Sequence, residues 1–358
     1  MKKRKILVAG GYGGVGRVIS TALGKRFPGQ VIAAGRNYQK AEELSLETKK
    51  QVLPRKLGVF SDHEHDEVLS DVSLVVMCID QTDTRFVEKC FREGINYIDI
   101  TATYEILSKI ELLNDMASEH NATAILSVGL SPGLTNLLAV YGKTRLDEMK
   151  HLDIFIMGGL GETHGEGTMR WFIEKINAEF SILENGVKKT VKSFGDGKQT
   201  IFPGNLGRRT AYRFDFSDQH ILPKTLELES ASTWVCYDSK FMTSFYAFLA
   251  KIGLFNLLRF QFIQDILFKM LKTFHWGSDI FIIKTEARGM PNHQQSLYEC
   301  SVSGNNEERA TGLFAADVAE RLYTSQFSKG VFHIEQLFEP LEFIKEFCRH
   351  GFRFHHDK

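Results

Sequence analysis

Six short apolar runs alternate with amphipathic helical stretches over the first third of the chain, and this rhythm narrows the fold more than any other feature. The runs are 6–9, 31–34, 57–60, 74–79, 97–100 and 122–128; the helical stretches are roughly 15–27, 40–50, 83–93 and 104–120. Near-continuous apolar strands alternating with helices predict a parallel sheet covered on both faces. Six strands in this order fit a doubly wound α/β domain of the Rossmann type. Such a domain takes roughly 130–150 residues, so about two hundred of the 358 belong to something else.

After Gly129 the rhythm changes. Helices are predicted at 134–146 and 168–183, and a strand at 151–157. Strand-like stretches follow at 188–194, 210–216, 226–234, 279–288 and 296–303, with two late helices at 311–324 and 341–350. Strands in clusters predict a mostly antiparallel sheet in a second, α+β domain. The expected division is a dinucleotide-binding domain at 1–132, completed by a C-terminal return at 331–358. A substrate and dimerisation domain at 133–330 lies between them.

The first run leads directly into Gly11-Tyr12-Gly13-Gly14-Val15-Gly16, which opens the first helix. GxGxxG in that context is a dinucleotide-binding signal. Gly11 lets the chain turn out of the strand, Gly13 lets a pyrophosphate approach the backbone, and Gly16 lets helix and sheet pack closely. The first-turn amides and the helix dipole then hold the anion. An NAD site usually adds Asp or Glu at the end of the second strand, on the ribose 2′-hydroxyl. Here Gly35-Arg36-Asn37 stands there instead. Arg36 can pair with a 2′-phosphate and stack on adenine, which predicts NADP, with NAD as the second choice. Asp62-His63-Glu64-His65-Asp66 reads as a solvated helix start capped by Asp62 beside the adenine, so no metal is expected.

Ligands of such sheets bind beyond the carboxyl ends of the strands. Cys78, Ile79, Thr101, Gly129 and Pro132 therefore join the expected cofactor lining. Cys78 reads as a redox thiol or as a small residue packing the ring, and Asp99 as a general base or a loop cap.

The 44 basic and 44 acidic residues cancel, which argues against a nucleic-acid partner. The five cysteines are far apart and form no CxxC, so a reducing compartment, the cytoplasm, is expected. The basic start, Lys2 to Lys5, precedes only four apolar residues, too few for a signal peptide. Eight of the 28 Phe fall within 241–275, whose longest uncharged run is too short to span a membrane. That segment reads either as a helical hairpin covering the second domain or a dimer interface, or as a hairpin touching membrane or a lipid-like substrate.

Three segments together resemble the saccharopine dehydrogenase/saccharopine reductase-like family. They are the glycine loop, the stretch Asn96-Tyr97-Ile98-Asp99-Ile100-Thr101-Ala102-Thr103-Tyr104, and the stretch Val128-Gly129-Leu130-Ser131-Pro132-Gly133-Leu134-Thr135-Asn136-Leu137-Leu138-Ala139. The last is similar to the family's G-x-D-P-G-x-x-N/H-x-x-A signature. The resemblance implies an NADP-dependent oxidoreductase acting on an imine or amine of an amino-acid-derived substrate. It places Tyr104, Asp99 and Ser131 near the chemistry, and Gly133 and Asn136 near the substrate. Ser131 departs from the family aspartate and cannot supply its carboxylate. Tyr104 is the first choice of proton donor, Asp99 the second and His164, in a glycine-rich loop, the third; Arg170 and Arg209 are candidates for a substrate carboxylate. The expected partners are a small molecule and a second copy of the chain. The competing readings are a reductase of an apolar, lipid-like substrate at a membrane surface and a non-catalytic NADP(H)-binding sensor.

Overall fold

The computed structural model describes residues 4–60, 65–273, 277–289 and 296–356. They fall into two compact units: Met1–Pro132 with Glu308–Leu337, and Gly133–Glu307 with Phe338–Lys358. Among the described residues no helix is long and apolar enough to cross a membrane.

The first unit follows the predicted alternation: β1 Lys5–Ala9, α1 Gly14–Arg26, β2 Val31–Gly35, α2 Tyr38–Glu47, β3 Val52–Lys56, α3 His65–Leu69, β4 Val72–Met77, α4 Arg85–Arg92, β5 Asn96–Asp99, α5 Tyr104–Glu111, α6 Asn114–Glu119 and β6 Thr123–Leu126. The strands β1, β2 and β4 have almost no exposed side-chain surface, as their apolar runs require of a sheet covered twice. The third strand is 52–56, not the expected 57–60. It lies at the sheet edge beside β2, with Pro54 opposite Ala33, and an edge strand tolerates the proline and charges that disguised it. The stretch 104–120 is two helices, because the chain turns at Leu113, whose N–H bonds the Ile110 carbonyl.

The second unit begins with α7 Thr135–Lys143, β7 Met149–Gly158, α8 Glu166–Lys175, β8 Glu179–Glu184, β9 Val187–Lys192, β10 Gly197–Phe202, β11 Gly207–Arg213, α9 Asp218–Thr225 and β12 Ser230–Tyr237. It continues through α10 Lys240–Lys251, a 3-10 turn Leu254–Arg259, α11 Gln261–Thr273, β13 Ile280–Gly289 and β14 Ser296–Asn305. The expected helix over 168–183 stops at Lys175. Beyond it Phe180 and Ile182 are buried while Glu179 and Ser181 are exposed, a period of two that pairs β8 with β9.

Then α12 Glu307–Thr324 and β15 Gly330–His333 return to the first unit, and α13 Pro340–Cys348 and β16 Arg353–His356 to the second. The return is therefore 308–337 rather than 331–358. α12 lies on α1, where Arg26 pairs with Asp317 at 2.6 Å, and β15 runs parallel to β6. The tail leaves because α13 buries Phe343, Ile344 and Phe347, and β16 pairs antiparallel with β14. The first sheet is wholly parallel, β15-β6-β5-β4-β1-β2-β3. The second is β10-β11-β12-β7-β13-β14-β16, antiparallel except where β12 runs parallel to β7.

Candidate functional site

In the first unit, β1 delivers the chain to the glycine loop. The left-handed turn sits at Gly10 (φ +81°), one residue before the expected Gly11, and a Cβ there would press on the Cys78 carbonyl. Gly11 is instead crowded, with Ala33 Cα and Ser20 Oγ each 2.8 Å from where its Cβ would lie. Gly16 leaves room for the Gly10 carbonyl, which a side chain would strike. Gly13, extended and exposed, caps α1, and the first-turn amides from Gly14 and Val15 onward have no partner within the helix. Bare backbone at a helix start behind a buried strand fits a dinucleotide pyrophosphate. The Glu308 carboxylate, from the start of α12, lies where a Cβ on Gly14 would fall. Sequence reading missed it, because nearly three hundred residues separate the two.

The end of β2 shows more than a missing acid. A Cβ on Gly35 would lie 2.5 Å from the Tyr12 hydroxyl oxygen and 2.7 Å from the ring. Tyr12 thus lies across Gly35, and its hydroxyl accepts from the Asn37 N–H at 2.9 Å. Asn37 in turn caps α2, its side chain accepting from the Lys40 N–H. Arg36 is exposed beside this contact. Asp62 lies outside the described residues.

At the carboxyl ends of β4 and β5 a closed network favours the loop cap over the general base as the reading of Asp99. Asp99 has no exposed surface. Its Oδ1 accepts from the Thr101 N–H at 2.8 Å, and its Oδ2 from the Tyr97 hydroxyl at 2.8 Å and Gln81 Nε2 at 3.2 Å. Burial pushes its carboxyl up to about 6, against the lowering effect of the Thr101 and Tyr97 hydrogen bonds. Asp99 is therefore a positioning residue for the 99–103 loop, not a group that meets substrate. Thr101 Oγ1 donates to Asp80 Oδ1 at 3.3 Å and accepts from the Thr103 N–H. Burial, with the neighbouring Asp99, raises the Cys78 thiol far above its ordinary range, which favours the packing reading over the redox one. Ile79 is half-buried beside it, and Tyr104, half-buried, opens α5. Gly129 is buried, and Ser131 and Pro132 lie in a single π-helical turn, Leu130–Leu134.

Also in this unit, His333 Nδ1 meets Ser127 Oγ at 2.8 Å and its Nε2 meets Glu111 at 3.2 Å. Ser127 has the left-handed φ of +58° but no exposed surface, so the relay is a buried tie between β6 and β15 rather than a nucleophile.

In the second unit, the Asn136 side chain is enclosed. Its Oδ1 accepts from the Gly133 N–H and from Thr135, which makes it a brace for the 133–136 turn. The His164 loop is pinned at its base, where the Gly161 N–H bonds the Ser278 carbonyl at 2.9 Å. It brings His164 between Glu162 and Glu307, with one ligand atom of each within 4.8 Å of the others. Arg170 is committed to Glu166 and stacks over Phe268 at 4.9 Å. Arg213 pairs with Glu184 and Asp196, each at 3.0 Å, and Arg288 with Glu286 and Asp153. Arg209 has no carboxylate partner among the described residues, and its Nε is buried without an acceptor. A cavity of about 450 Å³ is lined by Asp153, Lys198, Arg213, Trp234 and Arg288 among others, and its cations are already answered by its carboxylates.

Residues 6–125 match the family described as the saccharopine dehydrogenase NADP binding domain. No curated protein sequence matches the chain. Among solved structures, the chain is similar to apo saccharopine dehydrogenase (L-Glu forming) from Saccharomyces cerevisiae, with a TM-score of 0.74 at 14% identity over 99% of each chain. It is more distantly similar to the DAP dehydrogenase of C. glutamicum in complex with DAP, with a TM-score of 0.48 at 14% identity over 94% of this chain and 95% of that one. At such identity the yeast likeness establishes the fold: a doubly wound parallel sheet followed by a mixed sheet.

Proposed function

Because residues 6–125 belong to the saccharopine dehydrogenase NADP-binding domain family, we propose that this oxidoreductase prefers NADP to NAD and acts at a carbon–nitrogen bond of an amino-acid-derived imine or amine. The observation that carries the cofactor preference is the contact of Tyr12 with Gly35. The ring fills the space from which an NAD-type carboxylate would reach the ribose, and Arg36 stands exposed next to it. A guanidinium there pairs with a 2′-phosphate, which a carboxylate would repel.

The bound cofactor supplies or accepts a hydride, so the protein must move one proton and hold the substrate. Tyr104 and His164 are the residues that offer a proton, the second flanked by two carboxylates. Asp99 fixes the backbone at Thr101. Arg209, whose Nε is buried without an acceptor among the described residues, is the candidate for a substrate carboxylate. Ser131 stands where the resemblance expects the family aspartate and cannot supply its carboxylate, which disfavours saccharopine itself as the substrate.

Arg36→Asp is expected to weaken NADPH binding about thirtyfold, the worth of a lost charge-assisted pair, and to leave NADH binding nearly unchanged. Fluorescence titration with both nucleotides measures this, and parent-like NADPH affinity would remove the preference. Glu308→Gln is expected to tighten NADPH binding about fivefold, since like charges at ~4 Å cost about 1 kcal/mol in water. The same titration checks it; weaker binding would make Glu308 a ligand-holding residue instead. For the reaction, NADPH consumption is followed with imines formed from amino acids and keto acids. Tight binding without turnover on any of them would assign the chain to a non-catalytic cofactor sensor.

A further inference from the structure

The hairpin of α10 and α11 carries an apolar surface that its own unit leaves uncovered. The inner faces are occupied: Ala247 is buried, and Tyr246, Ile263 and Leu267 pack on the cluster around Phe194 and Phe214. The outer face of α10 carries Phe241, Phe245, Phe248 and Ile252, at the spacing of one helical stripe, and they are 42–75% exposed. On α11, Phe262, Ile266 and Met270 recur every fourth residue, each more than half exposed. Leu254, Leu257 and Phe260 keep the connecting turn apolar and open. Single exposed apolar residues are ordinary, but a run of them through two helices and their turn marks an interaction surface.

Charge selects the occupant. Between Lys240 and Thr273 the chain carries Lys240, Lys251, Arg259, Lys269 and Lys272 against Asp265 alone. The whole chain is neutral, so the remainder is net negative. Two-fold pairing through this face would set a positive patch against itself, which disfavours a second copy. At 12 and 13 residues, α10 and α11 are too short to span a bilayer. Arg259 lies over the Phe260 ring at 4.7 Å, joining a cation to the apolar rim.

We propose that the α10–α11 hairpin seats this protein on the surface of a lipid bilayer rich in anionic headgroups. The phenylalanine stripe enters the boundary between headgroups and acyl chains, and the lysines meet the headgroup charges.

The test is flotation of the full-length protein with vesicles of phosphatidylcholine alone or of equal parts phosphatidylcholine and phosphatidylserine. The protein is expected to float with the anionic vesicles and to be released by salt. Phe241→Ser/Phe248→Ser/Phe262→Ser and, separately, Lys251→Glu/Lys269→Glu are each expected to weaken partitioning at least about tenfold. All five side chains are exposed, and a parent-like thermal melt and circular dichroism spectrum confirm that the variants fold. A parent that floats with neither vesicle, or equally with phosphatidylcholine alone, overturns the proposal, as do folded variants that partition like the parent. A dimer that the phenylalanine variants split, with no vesicle binding, gives the surface to a second copy and also overturns it.

Discussion

Gly35→Asp is expected to cost about a hundredfold or more in NADPH affinity. The new Cβ would lie 2.5 Å from the Tyr12 hydroxyl oxygen and 2.7 Å from its ring, so the ring must leave. Leaving strips the Asn37 N–H of its acceptor and shifts the loop at its second residue. Overpacking of this kind costs about 1–3 kcal/mol, and the introduced carboxylate adds repulsion toward a 2′-phosphate. Tyr12→Ala/Gly35→Asp removes the clash and keeps the carboxylate. That double variant is expected to recover nucleotide binding with the preference turned toward NADH. Titration with both nucleotides, beside a thermal melt to report folding, decides the matter. A single variant with parent-like NADPH affinity would show that Tyr12 does not guard the position.

The second large effect is on stability. The Asp99 carboxyl, held at about 6 mainly by burial, would sit near 3.8 in the unfolded chain. Between those values the folded state keeps a proton that the unfolded state releases. The contribution is therefore complete below 3.8 and is lost as the pH rises through 6. The difference corresponds to about 3 kcal/mol at 1.36 kcal/mol per unit. Asp99→Asn stays neutral and still accepts from the Thr101 N–H. Its urea-unfolding free energy is expected to match the parent's near pH 4 and to exceed it by up to about 3 kcal/mol at pH 7.5. Other titrating groups cancel in that difference. Parallel curves for parent and variant would sink the assignment.

The fold was legible wherever local pattern decides it. The buried apolar strands and the loop from Gly11 to Gly16 signal themselves within a few residues. The reading failed where burial is partial, as at 52–56, and where period two follows a helix without a break, as at 179–184. It failed at the tail because pairing partners cannot be read from a strand alone: β15 joins β6, and β16 joins β14. In the site, Arg36 was visible as a substitution for an acid. Tyr12 over Gly35 was not, because it depends on a ring crossing from one strand end to another. Asp99 looked reactive by type, and only its three hydrogen bonds and lack of exposure show it to be a brace.

The late arrival of β15 has a consequence for the chain as it is made. During synthesis, β6 is finished some two hundred residues before the strand that covers its free edge. Its residues Ala124 to Leu126 have no exposed surface in the finished sheet, so until then an apolar strand edge stands open on the growing polypeptide. Residues 1–132 produced alone would keep that edge permanently, and are expected to self-associate through it. The nucleotide-binding half cannot be cut out of this protein as one continuous piece.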